Sequence, residues 1–118
     1  MGMFSEFSGG TSYTAVRAAL RGALADPNVS SILLEIDSPG GNVDGLPELA
    51  DEVYAARGAK PIGAIANTLS ASAAYWLGSQ VDDFAITPSG VVGSIGVYMM
   101  HIDESQMNEK VGLAITYI

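Results

Sequence analysis

The chain has 118 residues, with 13 acidic against 5 basic side chains, a formal net charge of −8 and no cysteine. This length allows at most one small domain, and an apolar fraction of 48% is enough to build a core. The acidic balance argues against a nucleic-acid partner, because the few basic residues are scattered and form no patch. The missing cysteines exclude disulfides and thiolate metal sites, and a single histidine without clustered acids predicts no metal site. No apolar run reaches membrane-spanning length, and no signal-peptide pattern starts the sequence.

The first half of the chain alternates helix and strand patterns. Residues 1–10 are rich in glycine and serine and are predicted to form a flexible stub. Thr11 can cap a helix that runs through Ala25. Residues 31–36 form a short apolar run that is typical of a buried strand, and an amphipathic helix then stops at Gly58. The apolar face of that helix is predicted to consist of Leu46, Leu49, Ala50, Val53 and Tyr54.

The alternation continues in the second half. Residues 61–66 form an apolar strand that leads into residues 67–77, which we predict to begin a buried helix. Residues 83–87 predict a third strand. Residues 92–100 predict a fourth strand, whose two glycines indicate a bulge or a close backbone approach.

The end of the chain predicts one more helix and one more strand. Asp103 can cap a short helix that ends at Val111, with Gly112 as the closing residue. Residues 113–118 are apolar like a strand, and we interpret a strand that runs to the last residue as the mark of a truncated domain. Strands that alternate with helices indicate an α/β domain with mainly parallel pairing.

Two hydroxyls, Ser70 and Ser72, stand among alanines within residues 67–77. A serine at a helix entry can be a cap, a small packing residue, or a nucleophile held where a helix N-terminus favours negative charge. The residues alone leave these three roles open.

Residues 37–42, Asp-Ser-Pro-Gly-Gly-Asn, follow a strand, and ligand sites in parallel α/β sheets tend to lie at such strand ends. Pro39 fixes φ and the paired glycines permit positive φ, so the loop can direct backbone N–H groups outward. Such amides can hold a developing oxyanion, at about 3 kcal/mol per well-placed donor. An ordinary tight turn has the same composition. Asp37 is a candidate acceptor that would stabilise the loop.

A serine nucleophile also needs a base. The single histidine, His101, ends an apolar run and is either that base or a surface residue. A desolvated lysine is the other kind of base, but Lys60 sits on a helix-to-strand turn and Lys110 in a charged stretch. The run of Tyr98 and two methionines indicates core or a subunit contact and not a cofactor site.

Three blocks of sequence indicate a family when they are considered together. They are residues 35–43 (Glu-Ile-Asp-Ser-Pro-Gly-Gly-Asn-Val), 71–76 (Ala-Ser-Ala-Ala-Tyr-Trp) and 92–97 (Val-Gly-Ser-Ile-Gly-Val). Their order and spacing resemble the signal peptide peptidase A family of serine peptidases, family S49. Residues 11–17 and 25–29 resemble its phage and prophage branch, the head-maturation (capsid) proteases. The resemblance covers nearly the whole chain from residue 11 onward.

The resemblance implies a ClpP/crotonase fold and acyl transfer by a serine–lysine dyad, without a cofactor. It implies Ser72 as the nucleophile and the turn of Gly40 and Gly41 as the oxyanion loop, with Gly41 the preferred donor and the Ala73 amide its partner. Ser94 matches a hydroxyl that orients the lysine. The resemblance also implies a protein substrate, a homo-oligomer, and a location in the bacterial cytoplasm or the phage prohead.

One departure from the family bears on activity. In single-domain members the base lysine comes after the strand that follows the Gly-Ser-Ile-Gly block, and this sequence stops within that strand at Ile118. No basic residue occupies the matching position, and the strand expected before the Thr11 helix is missing or vestigial. Residues 11–118 are therefore predicted to be a partial peptidase domain that is inactive alone. Ser70 does not match the nucleophile and is interpreted as a cap or packing residue.

Two other functions fit parts of the sequence. The low charge and the many glycines and alanines suit a degenerate copy of the fold that serves as a non-enzymatic assembly module. The crotonase side of the fold would use an amide pair to stabilise a thioester enolate, as an acyl-CoA enzyme. Ser72 followed by tyrosine and tryptophan argues against the second alternative.

Overall fold

A parallel sheet covered by helices on one face organises the chain in the computed structural model, which describes residues 10–115. The strands are β1 (Ile32–Ser38), β2 (Ile62–Ala71), β3 (Asp83–Ile86) and β4 (Val91–Gly93). The helices are α1 (Tyr13–Ala25), α2 (Leu46–Ala56), α3 (Ala73–Gly78) and α4 (Ser105–Lys110). This alternation confirms the predicted α/β class. None of the helices in this part of the chain has both the length and the apolar character to cross a bilayer.

The central strand is β2. β1 lies along one side of it, and β3 and β4 lie one after the other along the opposite side. Every one of these pairings is parallel, as predicted. β1 and β4 both reach the carboxyl end of β2, since Ser70 lies opposite Ser38 of β1 and Ala71 lies opposite Gly93 of β4. The segments that leave β1, β2 and β4 therefore start at the same edge of the sheet.

Helix α1 begins one residue later than the sequence indicated. Ser12, not Thr11, is the N-cap: its backbone is extended, and its Oγ accepts a hydrogen bond from the Ala15 N–H at 3.2 Å. The predicted end at Ala25 is confirmed. The turn that follows is stabilised by the Asp26 carboxylate, which accepts from the Asn28 N–H at 2.9 Å.

The core lies between the inner face of the sheet and helices α1 and α2. Its buried members are Leu20, Leu49, Val53, Ala56, Ile62, Ala64 and Val81. Tyr54 was wrongly assigned to the apolar face of α2, because it is 56% exposed and its ring stacks on the Arg57 guanidinium. The prediction of a buried β1 was also wrong. Its residues alternate between half-buried and exposed, and Leu33 is 70% exposed, because the described helices cover only one face of the sheet.

The predicted helix over residues 67–77 was wrong in its first half. Residues 67–71 continue β2. Ser38 of β1 lies opposite Ser70, β4 lies opposite residues 69–71, and this pairing overrides the local preference of an alanine-rich segment. Only the six residues of α3 are helical. The predicted long strand over residues 92–100 was wrong too. It ends at Gly93 because Ser94 and Gly96 both adopt positive φ.

The last part of the chain agrees only in part with the prediction. α4 is present, and the Asp103 carboxylate accepts from the Ser105 N–H at 2.9 Å, although Glu104 occupies the N-cap position. Gly112 follows the helix with a left-handed φ of 74°. Residues 113–115 are not a strand, and the rest of the predicted final strand lies outside the described residues, as do residues 1–9 of the predicted stub.

Candidate active site

Ser72 joins β2 to α3 in a backbone conformation that side chains rarely adopt, with φ 54° and ψ −122°. Its N–H donates to the Gly93 carbonyl at 2.9 Å, and its carbonyl accepts from the Trp76 N–H at 2.9 Å. Such strain persists only where the surroundings hold the residue firmly, and it concentrates at functional sites. The Ser72 side chain is half-buried and accepts no hydrogen bond from an amide of α3, so its hydroxyl does not cap the start of the helix.

The turn after β1 lies directly against Ser72. Gly40 has a φ of 110°, and a Cβ built on it would lie 2.6 Å from the Ser72 Cβ and 3.1 Å from the Ala73 nitrogen. Only glycine fits this approach and this φ. The Gly40 N–H donates to the Ser38 Oγ at 3.2 Å, so that amide is used within the turn.

Two backbone amides remain open beside the serine. In the described part of the chain, neither the Gly41 N–H nor the Ala73 N–H has a hydrogen-bond partner. Ala73 is the first residue of α3, where an amide has no partner within its own helix. Both residues line the same groove as Ser72. This arrangement can present two donors to an oxygen that becomes negatively charged at the serine.

The groove at Ser72 has a volume of about 650 Å³ and a lining without charged side chains. Apolar and aromatic groups dominate it, with amides and hydroxyls between them. Its side chains include Asn42, Val43, Leu46, Tyr75, Trp76, Ser79, Gln80, Ile95, Val97 and Tyr98. A lining of this kind suits an uncharged, extended segment of substrate.

Ser94 directly follows β4, just as Ser72 directly follows β2. It follows Gly93, the β4 partner of Ala71, and it has nearly the same positive φ, 53°. The structure therefore brings Ser94 to the edge of the sheet where Ser72 lies. Its side chain is exposed, and its predicted role in orienting a lysine remains a prediction.

None of the base candidates lines this groove. Lys60 precedes the amino end of β2, whose 10 residues place it roughly 30 Å from Ser72. Its Nζ donates to the carbonyls of Ala23 at 2.7 Å and Asp26 at 2.6 Å, which ties it to the end of α1. His101 and Lys110 are exposed and lie outside the groove lining. Of the residues that line the groove, none is a lysine, a histidine or a carboxylate.

The other residues considered from the sequence have structural positions. Ser70 is fully buried in β2, which confirms a packing role and makes the alternative of a cap wrong. Asp37 is exposed, and Ser38 is the acceptor in the turn. Tyr98 is 95% exposed, so the core interpretation of that run was wrong.

Sequence reasoning missed two residues at the site. A serine two residues before a glycine is a known turn pattern, so the bond from the Gly40 N–H to Ser38 could have been found. The hydroxyl of Tyr13 donates to the Asn42 carbonyl across 29 positions of sequence. No local pattern predicts that contact.

Comparison with known proteins identifies the family of the chain. The family model described as "Peptidase family S49" matches residues 55–118, more than half of the chain. Over its full 118 residues, the chain is 39% identical to the head-tail preconnector protein GP5 of Enterobacteria phage P21. The aligned part makes up 24% of that protein. Over 112 residues, which are 95% of the chain, it is 40% identical to capsid assembly protease C of Escherichia phage lambda. The aligned part makes up 26% of that protein. Protease 4 of Salmonella typhi is 36% identical over 80 residues, which are 67% of the chain and 13% of that protein.

The two phage proteins are much longer than this chain, which spans about a quarter of the length of each. The matches to phage proteins extend over nearly all of the sequence, whereas the match to Protease 4 covers a shorter part. The resemblance inferred from the three sequence blocks is thereby confirmed. The chain belongs to peptidase family S49.

Proposed function

We propose that Ser72 is the nucleophile of a serine endopeptidase. The observation that carries this proposal is the junction of β2 and α3, where Ser72 adopts a strained φ of 54° directly against the Gly40 turn. A serine that served only for packing would gain nothing from this conformation, which costs roughly 1–3 kcal/mol. The half-buried hydroxyl faces a groove that can admit an extended peptide.

The chemistry follows from the groups around that hydroxyl. The Ser72 oxygen attacks a peptide carbonyl and forms a tetrahedral intermediate, whose oxyanion accepts hydrogen bonds from the Gly41 and Ala73 amides. The intermediate collapses, the amine leaves, and the acyl group remains on Ser72 as an ester. Water then attacks that ester and releases the acid.

The general base in this proposal is a lysine outside the 118 residues. Lys60 is tied to the end of α1, and Lys110 lies on an exposed helix outside the groove. The base would take the Ser72 proton during attack and return it to the leaving amine. Ser94, at the end of the neighbouring strand, would orient it. The 118-residue chain should therefore show little or no turnover alone.

The substrate we propose is a protein of the phage head. Relatives of this chain bear the names capsid assembly protease and head-tail preconnector protein. Because the groove lining carries no charged side chain, it supports recognition of a neutral, exposed segment of such a protein. We further propose that the enzyme acts as a homo-oligomer, since residues 95–115 expose many apolar side chains that another copy could cover.

Covalent labelling tests the nucleophile. Two proteins are treated with a serine-reactive fluorophosphonate, and the modified residue is located by peptide mapping. One is the 118-residue chain. The other, called the extended chain, continues past Ile118 into the next few dozen codons of the same reading frame. Ser72→Ala and Ser70→Ala variants of both serve as matched controls.

Labelling of Ser72 in the extended chain, and not in the short one, supports a serine–lysine mechanism with a downstream base. Labelling in the short chain would move the base into residues 1–118 and make His101 the first candidate. If both chains fold and neither labels, the peptidase proposal fails. The assembly-module alternative would then account better for the exposed apolar residues.

A further inference from the structure

Tyr13 connects the first helix to the turn that faces Ser72. It is the first residue of α1, and its hydroxyl donates to the backbone carbonyl of Asn42. The same hydroxyl lies 3.5 Å from the position that a Cβ on Gly41 would take, and the ring edge lies 3.9 Å from the corresponding position on Gly45. The Tyr13 side chain therefore packs along the whole stretch of loop that includes the open amide.

The contact of Gly40 with Ser72 holds the start of this loop, and the hydrogen bond from the Leu46 N–H to the Val43 carbonyl joins its end to α2. Between these points the hydrogen bonds stay within the loop: the Gly40 N–H donates to the Ser38 Oγ, the Asn42 side-chain amide donates to the Asp44 carboxylate, and the Asp44 N–H donates to the Asn42 Oδ1. In the described part of the chain, the Tyr13 hydroxyl is the only hydrogen-bonding group that joins the loop to an element other than the flanking β1 and α2. Two adjacent glycines leave the backbone free to rotate unless something outside restrains it.

We propose that Tyr13 is a positioning residue for the oxyanion loop: by holding the Asn42 carbonyl, it aims the preceding Gly41 N–H at the oxygen that becomes negatively charged when Ser72 attacks the substrate carbonyl. The Gly41 N–H and the Gly41 carbonyl flank one α-carbon, and the Asn42 carbonyl is the next backbone acceptor along the chain. Anchoring it restricts the rotation that would turn the Gly41 amide away from the groove. This inference rests on the proposed peptidase function of Ser72.

The chemistry of the group suits the role. Partial burial raises the pKa of the Tyr13 hydroxyl, which therefore stays protonated and remains a donor at physiological pH. A carbonyl oxygen can only accept, so a phenylalanine at this position would keep the packing of the ring but lose the restraint. The Ser12 cap one residue earlier fixes the start of α1 and with it the position of the ring.

Labelling kinetics of the Tyr13→Phe variant test the proposal. The extended chain is treated with a fluorophosphonate at several concentrations, which separates the maximal rate of Ser72 modification from the concentration for half-maximal rate. Tyr54→Phe is the matched control, because Tyr54 is exposed on α2 and does not line the groove. Thermal unfolding of all three proteins, with labelling done well below the transition, shows that each is folded during the measurement.

We expect the maximal labelling rate of Tyr13→Phe to be roughly ten- to a hundredfold lower than that of the parent, a smaller loss than complete removal of an oxyanion donor causes. The reagent concentration that gives the half-maximal rate should not change. Tyr54→Phe should match the parent. If Tyr13→Phe labels at the parental rate while Ser72→Ala does not label, the positioning role is overturned and the nucleophile assignment stands. If the parental extended chain does not label at all, the proposed function fails and this inference fails with it.

Discussion

Gly40 and Ser72 touch through backbone and side chain at the carboxyl edge of the sheet. A Cβ on Gly40 would lie 2.6 Å from the Ser72 Cβ, far inside van der Waals contact, and 2.9 Å from the Ala71 carbonyl oxygen. The contact forms because β1 and β2 are paired in parallel up to Ser38 and Ser70, so that the two chains leave the sheet side by side. The turn and the strained serine thus fix each other's position.

This contact predicts that Gly40→Ala damages the site severely. The added methyl group meets backbone atoms that cannot move aside, and the φ of 110° is unfavourable for alanine. We expect a loss of about 2–4 kcal/mol in the free energy of unfolding, and labelling of Ser72 in the extended chain reduced at least a hundredfold. Urea unfolding and fluorophosphonate labelling measure the two effects.

Gly22→Ala is the control for that substitution. Gly22 lies within α1, and nothing stands within 4 Å of the position that its Cβ would take. Alanine there should raise the free energy of unfolding by up to about 1 kcal/mol and leave labelling unchanged. Equal effects of the two substitutions would contradict the contact between Gly40 and Ser72.

The two serines of the motif should respond in opposite ways. Ser70 is completely buried, and its Oγ has no hydrogen-bond partner among the described residues. Ser70→Ala removes an unpaired polar group and should raise the free energy of unfolding by about 1 kcal/mol, with labelling of Ser72 intact. Ser72→Ala should abolish labelling with little change in stability. Thermal melts and labelling of both variants decide the matter, and labelling lost in Ser70→Ala alone would reverse the assignment.

Lys60 provides a test of whether the chain contains its own base. Its Nζ bonds to two carbonyls at the end of α1, at 2.7 and 2.6 Å. Lys60→Met should therefore lower the free energy of unfolding by about 1–3 kcal/mol while the labelling rate of the folded protein stays the same. Lys110→Met, on the exposed face of α4, should change stability by less than about 0.5 kcal/mol. A labelling rate that fell in Lys60→Met at unchanged stability would indicate a catalytic lysine within the chain.

The sequence predicted the fold class and most elements because their signals are local. Apolar runs, turn residues and helix periodicity identify β1, α2, β3 and the end of α1 without any tertiary information. The boundary between β2 and α3 could not be predicted in the same way. The end of β2 is extended because Ser38 of β1 pairs with Ser70 and β4 pairs with residues 69–71, and neither partner is near this segment in sequence.

The site shows the same division. Ser72 and the glycine turn were predicted as site residues from the family resemblance of three short blocks taken together, since neither block decides the role alone. The contacts that connect them are long-range: the Gly93 carbonyl with the Ser72 N–H, and the Tyr13 hydroxyl with Asn42. These contacts follow from strand pairing and from the packing of α1, which no window of sequence contains.

The hydroxyl of Tyr13 also predicts a pH dependence of stability. Burial raises its pKa above the ordinary value of 10.0, so the folded protein holds this proton more tightly than the unfolded chain does. The stabilisation that the protonated hydroxyl adds to the free energy of unfolding is therefore fully present below about pH 10. It is lost as the pH rises through the folded-state pKa. The difference in free energy of unfolding between the parent and Tyr13→Phe should be constant from pH 7 to about 9 and should shrink above about 10. Urea unfolding of the parent and of Tyr13→Phe across this range measures the difference. A difference that grew at alkaline pH would mean that the folded state stabilises the tyrosinate, and that the hydroxyl is not the donor to the loop.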